Sequence, residues 1–122
     1  MNNKSVKIIL TIILTLISFW GVSQIKNKAD SVILKNFELI RNYLSNPNSD
    51  MSMKRVKAVY FFENLTGIPS ESDSDYIGKT APTKKDLDLW YAWYEFNKEN
   101  IFWDDNLKLI KFFKIIQPPK YE

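Results

Sequence analysis

The sequence predicts a mainly α fold, a compact bundle of about three helices with one long loop and a short C-terminal β-hairpin. Three observations lead there. Apolar residues recur at helical spacing in three separate stretches, and Pro or Gly closes the first two. Cysteine is absent, so side-chain volume alone must close the core. Aromatic residues crowd towards the C-terminus, with nine among the 24 residues from Trp90 to Phe113. At 122 residues the chain allows a single domain, and 45% hydrophobic with 25% charged residues is ordinary globular composition.

The N-terminal segment has its own character. Lys4 and Lys7 form a basic start, and Ile8 to Trp20 is an apolar run broken only by Thr11, Thr15 and Ser18. Gly21-Val22-Ser23 then places small residues at −3 and −1 of a cut before Gln24. This is the pattern of a bacterial secretory signal over residues 1–23, and it predicts a periplasmic or secreted protein. No Cys follows the cut, which argues against a lipoprotein. The alternative is an uncleaved inner-membrane anchor. A spanning helix wants about 20 apolar residues, and the stretch from Val6 to Ile25 is interrupted by Lys7, Ser18, Gly21, Ser23 and Gln24. Cleavage would remove Lys4 and Lys7 and lower the formal charge from +3 to +1, so the sequence pI of about 9.0 belongs largely to this segment. The basic balance is therefore no argument for a nucleic-acid partner, and a membrane partner is expected only if the segment is uncleaved.

The domain itself is expected over residues 24–117, with 118–122 as a loose tail after Pro118-Pro119. The first helix reads from Asp30 to Asn46, with Ile33, Phe37, Ile40 and Leu44 on one stripe, Asp30 as its N-cap and Pro47 as its stop. A second helix reads from Asp50 to about Leu65. Ala58, Phe61, Phe62 and Leu65 make its apolar face, Met51 extends it, and Lys54, Arg55 and Lys57 lie towards the other side. Gly67, free to take positive φ, ends it, with Pro69 beyond. Residues 68–82 read as loop. Thr83 and Asp86 have capping-box spacing for a third helix from Lys84 to about Asn100. After it, Ile101-Phe102-Trp103 and Leu107-Lys108-Leu109 flank the polar turn Asp104-Asp105-Asn106 as a hairpin. A fourth helix over 104–116 is the rival, because it would place Lys108, Lys111 and Lys114 on one arc.

The aromatics of the third helix read first as core. Large aromatics bury roughly 150–250 Å² each, enough for a few to close a small domain. At 100° per residue, Asp88, Glu95 and Glu99 gather on one side and Trp90 and Trp93 on the other. Both tryptophans should face the interior. Tyr91 and Phe96 fall on the two borders and are the binding candidates, if an exposed stacking surface exists. Asn97 lies between the tryptophans and must be paired, because a buried amide without partners costs roughly 1–3 kcal/mol. Its expected partner is backbone in the 68–82 loop or near the end of the second helix, and Asn97→Leu should then lower the melting temperature.

Chemistry is limited by what is missing. Without Cys or His there is no thiol nucleophile, no Ser-His-Asp triad and no ordinary zinc set. Glu71, Asp73 and Asp75 share the 1, 3, 5 spacing of a calcium loop, but Tyr76 stands where Gly is needed and Pro82 where Glu is. A solvated acidic loop is the simpler reading, and no cofactor or metal is expected. Asp104-Asp105 and Asp86/Asp88 are the carboxylate pairs from which a small hydrolase would have to be built. A turn explains the first pair and a helix N-terminus the second. No catalytic residue is assigned.

One longer pattern remains: Phe62-Glu63-Asn64-Leu65-Thr66-Gly67, then Trp90, Trp93-Tyr94 and Asn97-Lys98, then Trp103-Asp104. It resembles a family of small exported bacterial proteins with no assigned activity, and is similar in part to the tails of HEAT-like helical-repeat proteins. The resemblance covers roughly residues 58–105. It implies the helix–loop–helix arrangement and no particular chemistry. The expectation is thus a non-enzymatic exported domain, structural or contacting another envelope or secreted protein.

Overall fold

The computed structural model describes residues 2–48 and 52–114. Its elements are α1 (Asn3–Ser45), α2 (Ser52–Thr66), α3 (Lys84–Asn97), a 3₁₀ turn (Lys98–Asn100), β1 (Ile101–Asp104) and β2 (Leu109–Phe112). This is the mainly α fold with a C-terminal hairpin expected from the sequence. The rival fourth helix does not form.

α1 corrects the first expectation. No helix begins at Asp30. One continuous 43-residue helix joins the N-terminal segment to the first core helix. The change of composition near residue 24 suggested a boundary, but nothing between Val22 and Asp30 breaks a helix. Gly21 costs only about 1 kcal/mol there. Asp30 is therefore an interior helical residue. Its carboxylate accepts the Tyr94 hydroxyl at 3.0 Å instead of capping an end.

α2 begins within the described residues at Ser52. The expected start at Asp50, and Met51, lie outside them. Its buried face runs through Val56, Ala58, Val59 and Phe62, while Phe61 and Leu65 are half-buried. Arg55 is a second correction. It is not on the outer side but only 9% exposed, its guanidinium 4.0 Å over the Tyr43 ring and its Nε donating to Thr80 O at 2.6 Å. Gly67 closes the helix at φ 71°, and its N–H donates to Glu63 O at 2.9 Å.

Thr83 and Asp86 form the capping box. The Asp86 N–H donates to Thr83 Oγ1 at 3.1 Å, and the Thr83 N–H to Asp86 Oδ2 at 2.9 Å. The hairpin pairs Ile101 with Phe112 and Trp103 with Ile110 on one face, and Phe102 with Lys111 on the other. The second strand starts two residues later than expected. Asp104 accepts the N–H groups of Asn106 and Leu107, each at 2.9 Å, and Lys108 turns the chain at φ 55°, so Leu107 belongs to the turn. The 118–122 tail lies outside the described residues.

Both α2 and α3 run antiparallel to α1. Arg55 meets Tyr43 and Phe62 meets Phe37, while Tyr91 meets Phe37, Tyr94 meets Asp30 and the Lys98 carbonyl meets Lys26. Trp90 sits at the centre, stacked on Phe62 at 5.0 Å, with Phe62 stacked on Phe37 at 4.3 Å. Trp93 packs edge-on against Phe112 at 5.8 Å, which fastens the hairpin to the bundle. Both indoles are buried.

Candidate functional site

The most unusual surface is the N-terminal half of α1. Ile8, Leu14, Ile17, Phe19 and Trp20 are all exposed, and an 18-residue window here has mean hydropathy 2.1 with none of it buried. By length and composition this helix is able to cross a membrane. Its polar positions suit such surroundings. Thr11 Oγ1 donates to Lys7 O at 2.8 Å, Thr15 Oγ1 to Ile12 O at 2.8 Å, and Ser18 Oγ to Leu14 O at 3.0 Å. Each hydroxyl is satisfied within its own helix and needs no water.

A polar collar marks where the exposed apolar half ends. Lys26 Nζ donates to Lys98 O at 2.7 Å and lies 3.6 Å from Asp30 and 3.7 Å from Glu99. Lys28 bonds Asp105 at 2.9 Å and lies 5.1 Å over the Trp103 ring. The Lys28 ammonium, and the Trp103 indole N–H at 3.0 Å, hold the Asp105 carboxyl below the usual range. Asp104 is lowered too, first by the Leu107 N–H and then by Lys111 at 2.9 Å.

Tyr91 and Phe96 do not form one surface. Tyr91, 45% exposed, borders a shallow groove with Arg41, Leu87 and Asp88 and packs edge-on against Phe37. Phe96, 51% exposed, is not among the residues lining that groove. Five residues along a helix turn them apart by about 140°.

Asn97 is buried, but its partner differs from the expectation. Nδ2 donates to Trp93 O at 2.9 Å, one turn back in its own helix, and Oδ1 has no partner among the described residues. A helical side chain leans towards the N-terminus, so the preceding turn is the backbone within its reach. The side chain that does reach the loop is Trp90, whose indole N–H donates to Ile68 O at 3.0 Å.

The acidic loop is a set of local locks. Asp75 accepts the N–H groups of Ile77 at 2.8 Å and Gly78 at 3.1 Å, which lowers its pKa, the Ile77 bond first. Glu71 pairs with Lys85, and Asp73 is exposed. Among the described residues, no three acidic side chains converge on a cation position. The two carboxylate pairs are also divided. Asp88 pairs with Lys84 at 2.9 Å. Asp86 is buried, accepting Ser70 Oγ at 2.5 Å and the Glu71 N–H at 2.9 Å besides Thr83. Asp104 and Asp105 turn to Lys111 and Lys28 respectively.

Sequence reasoning missed Arg55, and missed Asp86 as the post that ties the 68–82 loop to α3. The capping-box spacing flagged Asp86. Nothing local flagged Arg55, whose partners Tyr43 and Thr80 are far away in sequence. Compared with known proteins, the chain matches no family model, no curated protein and no solved structure.

Proposed function

We propose that this chain is a non-enzymatic interaction domain of the cell envelope, held at a membrane by the N-terminal half of α1. The observation that carries this reading is the continuity of α1. The same helix presents an unpartnered apolar surface up to Trp20 and then supplies Ile33, Phe37 and Ile40 to the core. The Gly21-Val22-Ser23 cleavage pattern falls inside that helix, shortly before the Lys26 collar. The dispersed carboxylates support a binding role over hydrolysis, which needs two acids converging in a cleft with one pKa raised. The partner is another envelope or secreted protein, and the groove beside Tyr91 is its candidate contact.

A second reading, export followed by cleavage before Gln24, is favoured by the small residues at Gly21 and Ser23. Intact mass of the native protein, with alkaline extraction of membranes, decides between them. The tethered reading expects the full-length mass in the extracted pellet. A soluble species beginning at Gln24 would refute it.

A further inference from the structure

The end of the domain nearest the exposed apolar helix is itself built as a contact surface. α2 and α3 both finish there, and the hairpin lies across it. Its inner face carries Ile101, Trp103, Ile110 and Phe112, and Ile101, Ile110 and Phe112 pack on the core. Its outer face carries Phe102, Lys111, Leu109 and Asp104, the last neutralised by Lys111, and Phe113 follows directly. Phe102 and Phe113 stack at 4.5 Å, yet Phe113 is 69% exposed and Leu109 43%. Phe102 is half-buried, so Phe113 and Leu109 are the apolar side chains that this end of the domain leaves open to a covering.

Height along α1 says what that covering is. At 1.5 Å per residue, Val6 to Ile25 spans about 30 Å, the thickness of a bilayer's hydrocarbon core. Lys26 then stands at the start of the headgroup layer, which adds roughly 5–8 Å on each side. Its ammonium lies 3.6 Å from Asp30 and holds Lys98 O at 2.7 Å, so that carbonyl stands within about one helical turn, 5.4 Å, of Lys26 along α1. Two residues on, Asn100 binds the strand end. Its carbonyl accepts the Phe113 N–H at 2.9 Å, and its Oδ1 accepts the Lys114 N–H at 2.7 Å. The chain of bonds Lys26–Lys98–Asn100–Phe113 thus keeps Phe113, stacked on Phe102, within reach of the headgroup layer.

We infer that the outer face of the hairpin, Phe102, Leu109 and Phe113 with Lys111 and Lys114, seats in the lipid interface on the domain's side of the membrane. Rings fit this layer because their apolar faces meet acyl chains while a flanking ammonium group, here Lys114, meets lipid phosphates. Lys111 is held by Asp104 at 2.9 Å, and among the described residues Lys114 has no carboxylate partner, which leaves it for a phosphate. The inference rests on the tethered reading and adds a second point of contact, which fixes how the domain leans.

The absence of cysteine makes the test direct. Full-length protein carrying one nitroxide, at Leu14→Cys, Leu109→Cys or Lys54→Cys, is placed in vesicles of phosphatidylcholine and phosphatidylglycerol. Each label's collisions with oxygen, which concentrates in lipid, and with a water-soluble nickel chelate are compared. The expected result is a deep position at 14, an interfacial one at 109 and a fully aqueous one at 54. Phe113→Glu, or Lys114→Glu if that variant unfolds, should raise chelate access at 109 several-fold and leave 14 unchanged. A lipid-buried label at 14 with a label at 109 as wet as that at 54 overturns the seating alone. A wet label at 14 overturns the tether and the seating together. Spin–spin broadening at 109 that vanishes on dilution with unlabelled protein would put a second copy on this face, and would also overturn it.

Discussion

Asn97 shows how one residue's environment can reverse the sign of a mutation. A well-paired buried amide is expensive to delete, but here Nδ2 makes one bond within its own helix and Oδ1 makes none. Replacing the whole group by Leu removes an unsatisfied acceptor together with a weak bond. Asn97→Leu is therefore expected to shift stability by less than about 1 kcal/mol, against the loss expected from sequence. Asn97→Asp would leave a carboxylate facing the Trp93 carbonyl and should cost several times as much; urea unfolding of both variants checks the pair. Asp86 is the opposite case. It accepts from Thr83, Ser70 and Glu71 while buried, so Asp86→Ala should cost about 3 kcal/mol, combining a lost cap with lost charged hydrogen bonds. The same variant should speed amide exchange across residues 70–83, which a purely helical cap would not do.

At the scale of elements, what could be read in advance was what depends on neighbours in sequence. α3 came from its own period and its Thr83–Asp86 cap, and the end of α2 from Gly67. The hairpin was foreseen but placed two residues early in its second strand, because a non-glycine, Lys108, takes the positive φ. The start of α1 was misplaced for a related reason. A change from apolar to mixed composition looks like a boundary, whereas a helix ends only where backbone or capping chemistry stops it. Arg55 lay beyond reach because its burial depends on Tyr43 and Thr80 meeting in space. The hairpin also carries a pH dependence. Asp104 and Asp105 have folded pKa values below the usual 3.8, so their contribution is present above that value and is lost as pH falls through the lowered ones. Loosening of the hairpin, seen as a change in Trp103 fluorescence in a chain with the other tryptophans replaced by Phe, is expected below about pH 4 and not between pH 5 and 7.

Taken whole, the molecule divides its hydrophobic surface between two tasks. Among the described residues, every buried apolar residue of the core lies at or beyond Ala29, and the apolar side chains from Val6 to Trp20 add nothing to it. A chain beginning at Gln24 should therefore fold, keep its Lys26 collar and melt within a few degrees of the full-length protein. Circular dichroism of the two forms checks this, and a non-cooperative melt of the shorter one would show that the projecting helix supports the bundle.

The unbroken course of α1 has a mechanical meaning. Most tethered domains hang from a slack cord and sample a hemisphere of positions. On the tethered reading proposed above, a domain whose central rod continues into lipid would have no pivot and would stand as a post about 30 Å tall between Lys26 and Ser45. Its reach would then be a narrow shell at fixed altitude, and any sideways load on the domain would pass straight into the bilayer as tilt.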